Sequence, residues 1–274
     1  METPLRLAYL DAMGIRAWVP RTQDAGSAPD PLPDQAMESA APGPSESSRY
    51  VDAVRPAGPV VSAVTPAPPS AKGSVPGLRL VPDTDGEEPA QWAQLRQAVS
   101  DCRACSLCES RTQTVFGVGD RKASWLIIGE APGADEDKQG EPFVGRAGKL
   151  LDAMLMAAGF RRDQVFIANV LKCRPPDNRD PHQDEIAACS SHLDKQIEMV
   201  RPDLILAVGR IAAQSLLQTQ MPVGRLRGIR HVHAATSTPV VVTYHPAYLL
   251  RKPSAKSKAW SDLRLAMTCG GRGA

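Results

Sequence analysis

The sequence predicts an α/β fold, a three-layer α/β/α sandwich with a central four-stranded parallel sheet. Short, continuous apolar runs are typical of strands buried on both faces of a parallel sheet. Four such runs occur, at 125–129, 165–171, 203–208 and 239–243. Segments with helical periodicity separate them, at 145–159, 183–200 and 210–218, and a further helix is predicted at 91–102. Alternating strands and helices favour a sheet covered on both faces.

The first third of the chain has a different composition. Of the 25 prolines, 14 lie between Pro20 and Pro89, among many Ala, Ser, Gly and Asp residues. Such a segment buries too little apolar surface to offset the entropy of ordering it, so we expect a disordered linker at 20–88. Residues 1–19 contain a possible short amphipathic helix that either docks on a partner protein or folds back. We expect the folded domain at 89–268 and a flexible tail at 269–274.

The charge divides at the same place. Residues 1–90 hold 7 Lys and Arg against 12 Asp and Glu, a net of −5, whereas residues 91–274 hold 25 against 18, a net of +7. A basic domain suits a polyanionic partner, although this charge alone is weak support for nucleic acid. No apolar run approaches the ~20 residues of a membrane helix, and Asp11 interrupts the region where a secretory signal would be apolar. We therefore expect a cytoplasmic protein.

The cysteines predict a metal centre, because a reducing compartment disfavours disulfides. Cys102 and Cys105 form a C-x2-C pair, and a second pair is separated by 15 residues. A zinc ribbon would close with a second tight knuckle, whereas an iron–sulfur cluster accepts ligands from remote loops. We therefore favour a [4Fe–4S] cluster over zinc or plain buried thiols. Its predicted ligands are Cys102, Cys105, Cys173 and Cys189, with Cys108 a rival for the fourth position and Cys269 the least suited.

Polar residues follow the predicted strands where ligands bind in open parallel sheets. The stretch WLIIGEAPGADED runs a strand into a Gly/Pro turn with carboxylates at Glu130 and Glu136. Asn169 ends the next strand, where a buried amide requires hydrogen-bond partners. His245 follows the strand PVVVT and is a candidate for stabilising developing negative charge. These residues predict an active site at one edge of the sheet.

Four motifs together carry a resemblance to a known family. GEAPGADED, EPFVGRAGKLL, NVLKCRPPDNRDP and TYHPAYLLR, with the cysteine positions, resemble the family 4 uracil-DNA glycosylases, the iron–sulfur-cluster branch of their superfamily. The resemblance covers residues 95–266. It implies a monomeric DNA repair enzyme that flips deoxyuridine out of DNA and hydrolyses its N-glycosidic bond, which initiates base-excision repair. Its partner would be uracil-containing DNA.

The resemblance also implies a role for each motif residue. Phe143 matches the stacking aromatic, and Asn169 matches the residue that reads uracil N3–H and O4. Glu136 matches the carboxylate placed against C5, where it excludes the methyl group of thymine. His245 matches the residue near uracil O2, and Glu130 matches a carboxylate that orients water or stabilises a cationic sugar.

The sequence is also compared with two alternative functions, a uracil-DNA binding protein and an inactive adaptor. One alternative is a covalent or non-catalytic uracil-DNA binding protein of the same superfamily. Covalent trapping in that superfamily uses a histidine in an inserted basic loop, which KCRPPDNRDPH lacks. An inactive adaptor would not need the full set of motif residues. Tyr248 stands where the family commonly has a smaller residue. Two basic segments either contact DNA phosphates or form solvated faces, namely Arg225, Arg227 and Arg230 in the first and Arg251 and Lys252 in the second.

Overall fold

The computed structural model describes residues 89–270. The predicted helix within 1–19, the predicted linker at 20–88 and residues 271–274 lie outside this range. Within it, none of the helices is long and apolar enough to cross a membrane.

Six strands and nine α-helices make up the described fold. The strands are β1 (Val118–Gly119), β2 (Trp125–Gly129), β3 (Phe166–Asn169), β4 (Leu204–Val208), β5 (Arg230–Val232) and β6 (Pro239–Thr243). The helices are α1 (Ala90–Ser100), α2 (Leu107–Ser110), α3 (Ala134–Gln139), α4 (Arg146–Ala157), α5 (Gln183–Val200), α6 (Arg210–Leu217), α7 (Val223–Leu226), α8 (Pro246–Arg251) and α9 (Lys256–Cys269). Cys269 thus ends α9, although the flexible tail was predicted to begin there.

The sheet has the order β1-β3-β2-β4-β6-β5, and its four central strands are parallel, which confirms the predicted centre. The sheet has two strands more than the four predicted, since β1 and β5 add antiparallel edges. These strands have two and three residues, and their residues are exposed or half-buried. They therefore lack the continuous apolar run by which buried strands were recognised.

Helices cover both faces of the sheet, which confirms the three layers. Side chains alternate between faces along a strand, so Ile127 and Leu206 pack towards α4 and α9, while Ile128 and Ala207 pack towards α1, α5 and α6. All four side chains are fully buried. Burying one Ile or Leu side chain contributes roughly 1.5–3 kcal/mol, so the two apolar layers hold the central strands in fixed register.

Candidate functional site

The carboxyl ends of the central strands meet at one edge of the sheet, here called the site edge. Gly129 of β2 lies opposite Asn169 of β3, and Val208 of β4 lies opposite Thr243 of β6. His245 follows Thr243 by two residues. The shared register therefore delivers the predicted polar residues to the same edge, as expected for an open parallel sheet.

Gly129 lets two predicted site residues approach each other. A Cβ atom built on Gly129 would overlap both the Asn169 Oδ1 atom and the Phe143 ring. The amide and the aromatic ring therefore meet over a backbone position where only glycine fits without displacing one of them. Asn169 and Phe143 are 2% and 6% exposed, so this meeting point is dry.

The Asn169 amide carries an acceptor that the surrounding protein does not satisfy. Among residues 89–270, two buried side-chain atoms lack a hydrogen-bond partner, Trp125 Nε1 and Asn169 Oδ1. A buried oxygen without a donor costs about 1–3 kcal/mol, and such an atom at a strand end requires an explanation. A ligand that donates a hydrogen bond to this oxygen would explain why the protein leaves it without a partner.

The loop that carries Phe143 holds its backbone in a strained conformation. Phe143 has φ 54°, in the left-handed region that non-glycine residues rarely adopt. The Glu136 carboxylate accepts the Val144 N–H at 3.0 Å and the Gly145 N–H at 3.3 Å, and Arg162 donates to the Pro142 carbonyl. Such strain persists only where the surroundings over-determine it, and it is concentrated at functional sites.

A glycine in the following helix completes the support of this loop. A Cβ atom on Gly148 of α4 would overlap the Phe143 carbonyl oxygen. The motif EPFVGRAG therefore combines a strained aromatic residue with the glycine that makes room for its backbone.

His245 is held as a neutral ring with a defined tautomer. Its Nδ1 atom accepts the Ala247 N–H at 3.2 Å, which caps the first turn of α8. Since an acceptor nitrogen carries no proton, the proton of the neutral ring lies on Nε2. Burial lowers the pKa of His245 to about 4, with Arg251 lowering it further and Glu136 opposing the shift. The ring is therefore a neutral Nε2–H donor at physiological pH.

The His245 ring lies against the Phe143 ring. Their centroids are 5.6 Å apart with an interplanar angle of 30°. On the other side, a Cβ atom on Gly209 would come within 3.1 Å of His245 Cβ. Three predicted residues, Phe143, Asn169 and His245, are thus brought together at the site edge.

Glu130 is half-buried directly after β2, near the charged side chains of Asp180 and Arg210. Burial raises the pKa of its carboxyl above the usual range, the nearby Asp180 raises it further, and Arg210 opposes both. Arg210 and Asp180 form an ion pair at 2.5 Å. The environment makes Glu130 a stronger base than an exposed glutamate.

The predicted cysteine ligands line a pocket of their own, called the cysteine pocket. It contains about 280 Å³ of space not filled by atoms, part of it open to solvent. Its lining includes the four predicted ligands and also the rival, namely Cys102, Cys105, Cys108, Cys173 and Cys189. Burial raises the pKa of the Cys189 thiol to about 11 and that of Cys173 in the same direction, so binding iron would displace protons from both.

Two donors point at the sulfur atoms. Arg111 Nη1 donates to Cys173 Sγ at 3.0 Å, and the Lys172 N–H donates to Cys189 Sγ at 3.4 Å. Hydrogen bonds to cysteine sulfurs are a recurring feature of iron–sulfur ligation. Among residues 89–270, no group of three or more His, Cys, Asp or Glu residues is placed to hold a single metal ion. Cysteine sulfurs are the usual ligands of iron–sulfur clusters, and the cysteine pocket presents five cysteines.

Sequence reasoning missed the residues that connect these features. Lys172 is 1% exposed, and its ammonium group donates to the Asn169 carbonyl. A lysine directly after a buried apolar run was the available signal. Arg227, predicted to contact phosphate, is instead paired with fully buried Asp262 at 2.8 and 3.0 Å. The ion pair gives Arg227 a structural role, because a buried carboxylate requires a counter-charge.

Comparison with known proteins agrees with this geometry. Residues 116–264 match the model of the uracil DNA glycosylase superfamily. The chain is 43% identical over 179 residues to the type-4 uracil-DNA glycosylase of Archaeoglobus fulgidus, which covers 63% of this chain and 90% of that protein. It is also 43% identical over 159 residues to the type-4 uracil-DNA glycosylase of Thermotoga maritima. These residues are 58% of this chain and 82% of that protein. The chain belongs to the type-4 uracil-DNA glycosylase family.

The family model spans the site edge and, among the cysteines that line the cysteine pocket, Cys173 and Cys189. The type-4 enzyme of Sulfurisphaera tokodaii is 42% identical over 178 residues, which are 62% of this chain and 81% of that protein. The resemblance that the four motifs indicated is therefore confirmed at the level of the type-4 uracil-DNA glycosylase family. Residues 1–115 and 265–274 lie outside the family model.

Proposed function

We propose that this chain excises uracil from DNA by hydrolysing the N-glycosidic bond of a flipped-out deoxyuridine, which initiates base-excision repair. The observation that carries the proposal is the buried, unpartnered Asn169 Oδ1 atom beside the Phe143 and His245 rings. An enzyme acting on a base reads it in a pocket by stacking and by hydrogen bonds to its Watson–Crick edge. Family membership supports the same activity.

Asn169 would select the base. Its Oδ1 atom accepts uracil N3–H, and its Nδ2 group donates to O4. Cytosine presents the reverse pattern at these positions, an acceptor at N3 and a donor at N4. A cytosine in this site would leave buried polar groups unpaired, and sites of this kind discriminate strongly. Phe143 would stack on the ring.

His245 would stabilise the departing base. As the bond between C1′ and N1 breaks, its electron pair moves onto uracil and negative charge builds at O2. A neutral Nε2–H donor aimed at O2 stabilises that charge more in the transition state than in the bound substrate, which can contribute about 2.7–4 kcal/mol. The hydrogen bond from Ala247 N–H keeps the donor proton on Nε2.

Glu130 would act on the sugar side. Its carboxylate orients the attacking water, whose oxygen bonds to C1′, and it accepts the proton that the water loses. The same negative charge favours the cationic, oxocarbenium-like sugar in the transition state. The raised pKa of Glu130 makes it a better base for this proton transfer.

Glu136 would exclude thymine and fix the loop at the same time. A carboxylate against C5 would clash with a 5-methyl group and lose its own solvation. Its hydrogen bonds to the loop backbone hold it in place for that contact.

Exposed basic residues would bind the DNA backbone. Arg225 and Arg230 are exposed, as are Arg251 and Lys252 at the end of α8. Phosphate contacts of this kind position the enzyme without conferring sequence preference. We expect uracil excision to weaken as salt rises.

The cysteine pocket would hold a [4Fe–4S] cluster on Cys102, Cys105, Cys173 and Cys189. Cys108 lines the same pocket and stays the rival for one position. Such a cluster would serve as a structural cross-link between the segment at 102–108 and the chain at 173–189. The isolated protein should be brown and contain iron, whereas a colourless protein with stoichiometric zinc would overturn this assignment.

The activity is tested with uracil-containing single-stranded DNA. The wild-type protein should release uracil with turnover and leave an abasic site, and Asn169→Ala should lose at least about 100-fold in rate while folding normally. Asn178→Gly is the matched control, since Asn178 is an exposed asparagine with φ 54°, which glycine accepts. A denaturation-resistant protein–DNA adduct would instead support the covalent-binding alternative, and near-wild-type turnover by Asn169→Ala would refute the assignment of Asn169.

A further inference from the structure

Lys172 is a buried cation between the two parts of the site. It lies three residues after Asn169 and directly before Cys173, and its side chain is 1% exposed. Among the ion pairs of residues 89–270, none involves Lys172. A buried ammonium group without a carboxylate partner is costly, so a specific role is expected for it.

The Lys172 side chain connects the end of β3 to α5. Its Nζ atom donates to the Asn169 carbonyl oxygen at 2.8 Å and to Gln196 Oε1 at 2.6 Å. Gln196 in turn donates through Nε2 to the Phe116 carbonyl at 2.9 Å. The carbonyl end of the base-reading residue is thus tied to a fully buried position on α5.

The backbone of the same residue connects to the cysteine pocket. The Lys172 N–H donates to Cys189 Sγ at 3.4 Å. Cys189 and Gln196 both belong to α5 and are seven residues apart, which places them on one face two turns apart. Lys172 therefore contacts this helix twice. Its backbone N–H contacts Cys189, a predicted iron ligand, and its ammonium group contacts Gln196.

We propose that Lys172 is a positioning residue that couples the cysteine pocket to the base-reading amide of Asn169. The inference rests on the proposed function, since it assigns the same Asn169 as the uracil reader. Cysteines bound to iron are thiolates, and their negative charge would compensate the buried ammonium group. An occupied cysteine pocket would then keep Lys172 in place, and Lys172 would hold the Asn169 carbonyl in the register that uracil requires.

Coupling of this kind is reciprocal. If iron in the pocket favours uracil binding, then bound uracil must stabilise the iron-bound state by the same coupling free energy. We expect a more stable iron-bound state to lose its iron more slowly. The effect is measured as the rate of iron release to a chelator, with and without saturating free uracil. In the wild-type protein we expect uracil to slow release by about fivefold or more, at the lower end of typical couplings.

Lys172→Met is the decisive variant, because methionine fills a similar volume without a donor. Iron release without uracil should be faster than in the wild type, and added uracil should no longer slow it. Lys195→Met is the matched control, an exposed lysine on the same helix, and should behave as the wild type. Retention of the uracil effect in Lys172→Met, or its absence in the wild type, overturns the coupling. Should Lys172→Met fail to fold or to load iron, Gln196→Met decides by the same two criteria, with a partial loss of the uracil effect expected.

A double-mutant cycle separates positioning from general destabilisation. If Lys172 acts through Asn169, adding Lys172→Met to the wild-type chain should lower the single-turnover excision rate by about 10-fold or more. Adding it to the Asn169→Ala variant should lower that rate by less than about 3-fold. Equal losses in both backgrounds would show a merely structural role and overturn the proposal. Excision by the wild-type protein tests the proposed function separately. If the wild type excises uracil but free uracil does not slow its iron release, only the coupling is refuted.

Discussion

The site edge and the cysteine pocket are built in opposite ways. At the site edge, backbone constraints fix each functional side chain: Gly129 and Gly148 make room for Phe143, and an N–H of α8 fixes the His245 tautomer. In the cysteine pocket, buried thiols have raised pKa values and converge from separate segments. The first region is preorganised by the polypeptide alone, whereas the proposed iron–sulfur cluster would order the second. Substitutions at the site edge should therefore lower activity without lowering iron content, whereas those in the cysteine pocket should lower iron content, stability and activity together.

The largest effect on activity alone is expected from Gly129→Ala. A Cβ atom there would overlap both Asn169 Oδ1 and the Phe143 ring, so one of the two must move. Misplacing a reading group by about 1 Å can cost about 100-fold, and we expect at least that loss in the rate of uracil excision. Iron content should be unchanged.

The control is Gly224→Ala, where nothing lies within 4 Å of the added Cβ. It should excise uracil at the wild-type rate. If Gly129→Ala also did so, Asn169 and Phe143 would not need to meet for catalysis, and the contrast between the two regions would fail.

The next effect distinguishes the cysteines. Cys189→Ser should lower iron content and the melting temperature together, because metal binding is coupled to folding and a lost ligand weakens both. Cys108→Ser should leave both near wild type, since Cys108 is not in the favoured ligand set. Iron analysis and thermal unfolding of the two variants provide the measurement. The reverse result would make Cys108 the fourth ligand and remove Cys189.

The pH dependence of excision probes the electrostatics of the site edge. The proposed role of Glu130 requires an ionised carboxylate, so kcat/KM should fall as pH drops through its pKa, which burial places above the usual 4.5. His245, with a pKa of about 4, should add no fall near its ordinary 6.5. Glu130→Gln should remove the pH-dependent fall and lower the rate on the plateau. A second fall near pH 6.5 in the wild type would contradict a neutral His245.

The same residue predicts a pH effect on stability. Because the pKa of His245 is lowered in the folded state, the unfolded state binds the proton more readily between pH 6.5 and about 4. The free energy of unfolding should therefore decrease as pH falls through that window. Urea unfolding of His245→Gln should show a weaker decrease than the wild type, and an identical slope would contradict the lowered pKa.

The sequence predicted what has a local pattern and missed what depends on packing. The parallel strands were found because burial on both faces leaves continuous apolar runs. Glu130, Asn169 and His245 were singled out because they follow strands that end at one edge, whereas Phe143 was named only through the family resemblance. Nothing in a three-residue strand such as Arg230–Val232 distinguishes it from a loop. The partner of Arg227 is 35 residues away, and Lys172 contacts Gln196 across 24 residues. Such contacts follow from tertiary structure, and no local spacing encodes them.

The smallest effect is expected from Glu136→Gln, which tests whether one side chain serves both the loop and base discrimination. The carboxylate accepts three backbone N–H groups, from Gly133, Val144 and Gly145. Glutamine offers one oxygen, so at least one donor would face an NH2 group. Hydrogen bonds to charged groups contribute about 1.5–3 kcal/mol, and losing one should lower uracil excision by about tenfold. Because a looser loop also relaxes the contact beside C5, the ratio of the uracil excision rate to the thymine excision rate should fall.

Glu141→Gln, an exposed change in the same loop, is the control for Glu136→Gln. Normal uracil excision with unchanged exclusion of thymine would show that neither role belongs to Glu136, and the Phe143 loop would then be fixed by Arg162 and Gly148 alone.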